Sequence, residues 1–281
     1  MLDLDQNRPV ATPRPAATII LLRDARRDSR TEVELCVMQR SVQSSFMGGA
    51  VVFPGGRVEA HDAGTAWEGL FTTGSGDWWD VEGVAARIAA CREALEEVGV
   101  APILGLNDPT ESIAGLRKVE SGDALRGAMR ALGARLDLAS LVPLSRWLTP
   151  EAEQRRFDAR FFLAKAPAGL EPVSDNHEAT RVYWASPSAL LADYEKGAIS
   201  LFPPTHRTLE LLVGARDVTA ALSTTSKSTL ETICPRFLVE AGTPVLALPG
   251  DPAHEVKFPR IVGGSRYVLH EGRWISRNAD G

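Results

Sequence analysis

Ala17-Thr18-Ile19-Ile20-Leu21-Leu22 is an almost unbroken apolar run, which predicts a buried strand. Val33-Glu34-Leu35-Cys36-Val37-Met38 alternates in part and predicts its hairpin partner, with the charged stretch 24–30 as the turn. Residues 50–53 predict a third strand that runs straight into the pair Gly55-Gly56. Residues 60–80 scatter Gly64, Gly69, Gly74 and Gly76 among Trp67, Trp78 and Trp79, the pattern of a loop with aromatic anchors. A helix opened by Asp80 or Glu82 then runs to about Val98, with Val84, Ile88, Cys91 and Leu95 as its apolar stripe and Gly99 as its stop. Residues 104–138 read as helical, with Ser121 as a cap and Leu125, Met129 and Leu132 on one face. Strands are expected at 141–148, 160–164 and 181–184, and helices from Ser186-Pro187 and from Pro203-Pro204-Thr205. Past Ser223 the pattern changes to short strands at 236–239, 245–248 and 267–269, joined by Gly and Pro turns. Mixed strands covered by helices predict an α/β layered domain.

One helix carries chemistry in its charge pattern. In Arg92-Glu93-Ala94-Leu95-Glu96-Glu97-Val98-Gly99-Val100, Glu93, Glu96 and Glu97 have the spacing that turns them to one side. Like charges so spaced repel by roughly 0.2–0.5 kcal/mol per pair. They also crowd the helix end whose dipole favours cations. A surface helix with Arg92 paired to Glu96 in solvent is the plain explanation. A hard dication is the functional one, because Mg²⁺ seeks carboxylate oxygens. Phe53-Pro54-Gly55-Gly56-Arg57-Val58-Glu59 lies upstream, and a Gly-Gly turn after a strand admits a ligand or metal close to the backbone.

Composition narrows the classes. The chain has 281 residues, 44% apolar and 24% charged, which suits a soluble globular protein. A net charge of −5 argues against a general nucleic-acid partner. No apolar run is long enough to cross a bilayer. The first fifteen residues are polar and proline-rich, without the apolar core of a signal peptide. Cys36, Cys91 and Cys234 have neither metal-like nor disulfide-like spacing, and a reducing cytoplasm is expected.

The glycine pair and the helical acids together resemble the Nudix hydrolases, whose box reads Gly-x5-Glu-x7-Arg-Glu-U-x-Glu-Glu-x-Gly-U, with U an apolar residue. Arg92, Glu93, Glu96, Glu97, Gly99 and Val100 match its second half, and Gly56 its start. Asp62 stands where the family has Glu, and about 22 extra residues interrupt the box before Arg92. An interrupted box is similar to that of the coenzyme A diphosphatase subgroup. Phe46-Met47-Gly48-Gly49, Phe53-Pro54-Gly55-Gly56 and the Arg87-to-Cys91 approach match there too. The resemblance covers residues 14 to about 213.

The resemblance implies a Nudix-type α/β/α sandwich with a mixed sheet. The expected organisation is a flexible segment at 1–15, a Nudix domain at 16–222 with an insertion near 63–81, and a C-terminal extension at 223–281. It implies an enzyme using Mg²⁺ or Mn²⁺, with Glu93, Glu96, Glu97 and the Gly55 carbonyl as metal ligands. Arg92 would orient the acids. The general base is a box Glu or a later acid, for which Glu178 is the candidate and His177 a lesser one. Arg40, with Gly55 and Gly56, would meet the phosphates of the substrate. Phe46, Met47 and the insertion tryptophans would line an apolar arm or pack into the core. No partner for His206 is evident. The leading substrate is coenzyme A or acyl-coenzyme A, cleaved to a 4′-phosphopantetheine product and adenosine 3′,5′-bisphosphate. ADP-ribose or another nucleoside diphosphate derivative is the alternative, and a Nudix module that binds without hydrolysing is a third. A homodimer is compatible with the extension.

Overall fold

The structure, a computed structural model, describes residues 3–27, 30–41, 48–119, 121–174 and 179–279. In chain order the strands are β1 (Arg14–Arg27), β2 (Arg30–Arg40), β3 (Val51–Val52), β4 (Gly55–Arg57), β5 (Ile103–Leu104), β6 (Arg135–Leu136), β7 (Val142–Leu148), β8 (Phe157–Lys165), β9 (Ala179–Ala185), β10 (Thr232–Ile233), β11 (Arg236–Glu240), β12 (Thr243–Ala247), β13 (Arg266–His270) and β14 (Arg273–Arg277). The helices are α1 (Val81–Val98), α2 (Pro109–Leu116), α3 (Gly122–Leu132), α4 (Pro187–Glu195), α5 (Pro203–Leu212) and α6 (Val218–Leu222).

Among the described residues the central sheet is mixed and has eight strands. β1 carries the apolar run and is buried on both faces, with β8 parallel on one side and β2 antiparallel on the other. Both faces of the run are covered, as its lack of polar alternation requires. β1 and β2 then splay apart. The short strands β3 and β4 enter the gap, β3 pairing with β2 and β4 with the first residues of β1. One face of the sheet packs against α1, α2 and α3, the other against α4, α5, α6 and the C-terminal strands. This is the α/β/α layering expected.

Several expectations change. Within the stretch 24–30, residues 24–27 and 30 are strand rather than turn, with Arg27 paired to Arg30 in register. Charged residues tolerate this because the hairpin extends beyond the core into solvent. The glycine pair belongs to β4 rather than to a turn. Residues 104–138 are not one helical stretch but α2 and α3, followed by β6 paired with β5. Ser121 caps α3 through Ala124, and Leu125 and Met129 are buried, but Leu132 is exposed at the helix end. Helix α1 is capped by Asp80 and stopped by a left-handed Gly99, as expected, yet it buries far more than one stripe. Ala85, Ala86, Ala89, Ala90 and Ala94 make it slim enough to be enclosed on most sides. The residues after 223 form an antiparallel four-stranded sheet, β11 to β14, with β10 added to the central sheet. β14 and β10 were not anticipated. Leu246, Leu248, Tyr267 and Trp274 share a core with Leu22, Leu35 and Leu163. No described helix is long and apolar enough to cross a membrane.

Candidate active site

Asp62 sits on the short helical turn after β4, before the insertion. It is fully buried and accepts from the Glu59 backbone N–H at 2.9 Å. Arg92 of α1 donates to both its oxygens, Nε to Oδ1 and Nη2 to Oδ2, each at 2.9 Å. The same guanidinium donates to Glu93 Oε1 at 2.9 Å, Glu96 Oε2 at 3.1 Å and the Arg57 carbonyl at 3.1 Å. Burial acts to lower the Arg92 pKa. The hydrogen bonds to Asp62 and the charges of Glu93, Asp62 and Glu96 outweigh it, so the proton is held more tightly than in free arginine. The solvated Arg92–Glu96 pair is therefore not the main interaction, since Arg92 is buried.

The acids divide. Glu97 is buried and accepts from the Gly55 N–H at 2.9 Å. Glu93 lies against Gly56, where an added Cβ would strike its carboxylate. A Cβ at Gly55 would strike the Ala17 carbonyl. Close approach explains both glycines. Glu96 instead keeps a side chain 47% exposed, held by Arg92. Arg117 donates to the Glu96 carbonyl at 3.0 Å and supplies the cation that the acidic helix end lacks.

Glu93, Glu97, Gly55 and Gly56 line a cavity of about 500 Å³, and Glu96 does not. Among the described residues, no three His, Cys, Asp or Glu side chains converge as a ready metal cage. Two carboxylates at a cavity wall still fit a hard dication, because Mg²⁺ is typically held by one or two carboxylates, waters and substrate phosphates.

Arg40 lines the same cavity, as do Arg57 and Arg155. Arg155 was not anticipated, and an arginine in a polar loop gives no signal in sequence. The apolar lining comes from Trp147, Phe157, Phe161, Phe202 and Leu246, also unanticipated. The insertion tryptophans take the core-anchoring alternative. Trp67 is fully buried and donates to the His61 carbonyl at 2.7 Å, Trp78 packs edge-on against Phe162, and Arg87 lies over Trp79. His206 has neighbours after all, Tyr267 at 3.2 Å and Glu210 at 3.5 Å. Phe46, Met47, His177 and Glu178 lie outside the described residues.

An α/β/α sandwich with a glycine strand inserted beside an acid-bearing helix is the arrangement of the Nudix class. The NUDT19 Nudix domain family model matches residues 80–212. The acyl-coenzyme A diphosphatase NUDT19 of Homo sapiens is 31% identical over 269 residues, spanning 77% of this chain and 71% of that protein. The protein of the same name from Xenopus laevis is 27% identical over 223 residues, spanning 63% of this chain and only 59% of its own length. A Nudix hydrolase structure from Alicyclobacillus acidocaldarius aligns with a TM-score of 0.64 and 28% identity, covering 75% of this chain and 96% of that one. The chain belongs to the Nudix family, in the branch that carries the NUDT19 domain.

Proposed function

We propose that the protein hydrolyses the diphosphate bond of coenzyme A or acyl-coenzyme A with the help of Mg²⁺ or Mn²⁺. Water adds across the bond, leaving a 4′-phosphopantetheine product and adenosine 3′,5′-bisphosphate. The observation that carries this is the meeting of Glu93 and Glu97 with Gly55 and Gly56 inside one cavity. The relatives named acyl-coenzyme A diphosphatase support the substrate class.

Glu93 and Glu97, with the Gly55 carbonyl, would hold the dication, and Glu96 would serve by steadying Arg92. A bound dication neutralises charge on the diphosphate and lowers the pKa of the attacking water. Arg92 donates to Glu93 Oε1 and holds its carboxylate beside Gly56. The slim backbone at Gly55 and Gly56 leaves room for phosphoryl oxygens. Arg40, Arg57 and Arg155 supply positive charge for the remaining phosphates. The buried free thiols Cys36 and Cys91 are in keeping with a reducing, cytoplasmic setting.

The test is Glu97→Gln assayed with coenzyme A, acyl-coenzyme A and ADP-ribose in Mn²⁺. Turnover of the coenzyme A compounds should fall at least about 100-fold while the fold persists. Wild-type protein that cleaves ADP-ribose and leaves coenzyme A intact would overturn the substrate. A variant as active as wild type would overturn the site.

A further inference from the structure

The cavity has two chemically different parts. Glu93 and Glu97 occupy one wall beside the glycine strand. Arg57 and Arg155 are exposed at its rim. The floor is apolar and buried, formed by Trp147, Phe161, Phe202, Pro235 and Leu246. Two of these, Pro235 and Leu246, come from the C-terminal extension, so the cavity is incomplete without it.

The start of α5 adds a second observation. A helix N-terminus facing a cavity ordinarily offers backbone N–H groups to a phosphate. Here the first two helical residues are Pro203 and Pro204, which have no N–H, and both line the cavity. Two of the first N–H groups of α5 are therefore missing from this wall, and Thr205 is left as its donor. Tyr267 of β13 donates to the Pro203 carbonyl at 3.3 Å, and the buried Arg207 donates to the Gly264 carbonyl at 2.7 Å. The C-terminal sheet thus both supplies floor residues and holds the proline wall in place.

We infer that the C-terminal sheet is a substrate-selecting wall that receives the acyl end of a coenzyme A thioester. This rests on the proposed hydrolysis. With the diphosphate held at the glycine strand, the charged adenosine bisphosphate lies toward the arginine rim and the acyl end lies over Leu246 and Phe202. Each methylene that leaves water there favours the acyl substrate by up to about fourfold.

The experiment is steady-state kinetics of the full chain with free, butyryl- and octanoyl-coenzyme A in Mn²⁺. The wild type should show kcat/KM for the octanoyl ester at least about tenfold above that for free coenzyme A. Leu246→Phe, which fills the floor, should collapse this ratio, and Phe157→Leu, at a half-buried position of the same lining, should move the preference toward longer chains. Thermal melts confirm that each variant is folded. A flat series in the wild type, or a ratio unmoved in both folded variants, overturns the inference while leaving hydrolysis intact. Absence of cleavage of every coenzyme A compound overturns the underlying reading and this one with it.

Discussion

Asp62 and Arg92, 30 residues apart in sequence, form a buried forked ion pair that closes the Nudix box across its insertion. The pair bridges the point where the sequence motif breaks. The shorter Asp reaches because the turn after β4 brings its backbone against α1. The inserted residues loop out between the two partners and anchor through Trp67.

Removing one partner strands the other. Asp62→Ala leaves Arg92 buried without its bidentate acceptor, and a loss of about 3–5 kcal/mol is expected. Urea denaturation of wild type and variant at neutral pH measures it. A change below about 1 kcal/mol would mean that Glu93 and Glu96 suffice to neutralise Arg92.

The two glycines separate folding from function. Gly56→Ala presses a methyl group onto the Glu93 carboxylate, a side chain that can shift. The expected outcome is a folded protein with turnover reduced at least about tenfold. Gly55→Ala presses on the Ala17 carbonyl and Thr18 Cα, which are backbone of the central strand. There a drop in melting temperature should accompany the loss of activity. Differential scanning calorimetry alongside kinetics distinguishes the two variants.

The proton acceptor is tested by comparing Glu96→Gln, the box acid not assigned to the dication, with Glu178→Gln. The variant lacking the base should lose the acidic limb of the pH–rate profile together with about 100-fold or more in kcat. The other should keep the profile's shape. Both profiles unchanged would exclude both residues as the base.

Acid stability has a defined origin in the C-terminal half. Burial alone would raise the Asp251 carboxyl, but Arg266, the Ala253 N–H and Ser265 bring it below its ordinary 3.8. Glu210 is likewise raised by burial and brought below 4.5 by His206 and Arg207. A folded pKa below the unfolded one means the unfolded chain takes up protons first as pH falls. The stabilisation is complete above the ordinary values and is lost as pH drops through them toward the lower folded ones. Urea midpoints should fall between about pH 6 and about pH 3, and Asp251→Asn should flatten that slope. An unchanged slope would place the acid sensitivity elsewhere.

Much of this was legible in the chain. Unbroken apolar runs specify a strand covered on both faces, whatever surrounds it, and 19–22 read that way. Asp80, Ser121, Ser186 and Gly99 mark helix ends through local hydrogen bonds and local backbone freedom, so their roles survive without tertiary knowledge. The acids on α1 follow from helical spacing alone.

Tertiary structure decided the rest, because the rest depends on which distant groups become neighbours. Spacing makes Glu93, Glu96 and Glu97 equivalent; only the approach of β4 turns two of them toward a cavity and leaves Glu96 to Arg92 and water. Asp62 gained its role from a contact across the insertion. Leu246 and Pro203 became cavity wall because two sheets share one core, and no local pattern encodes a contact between segments so far apart in the chain.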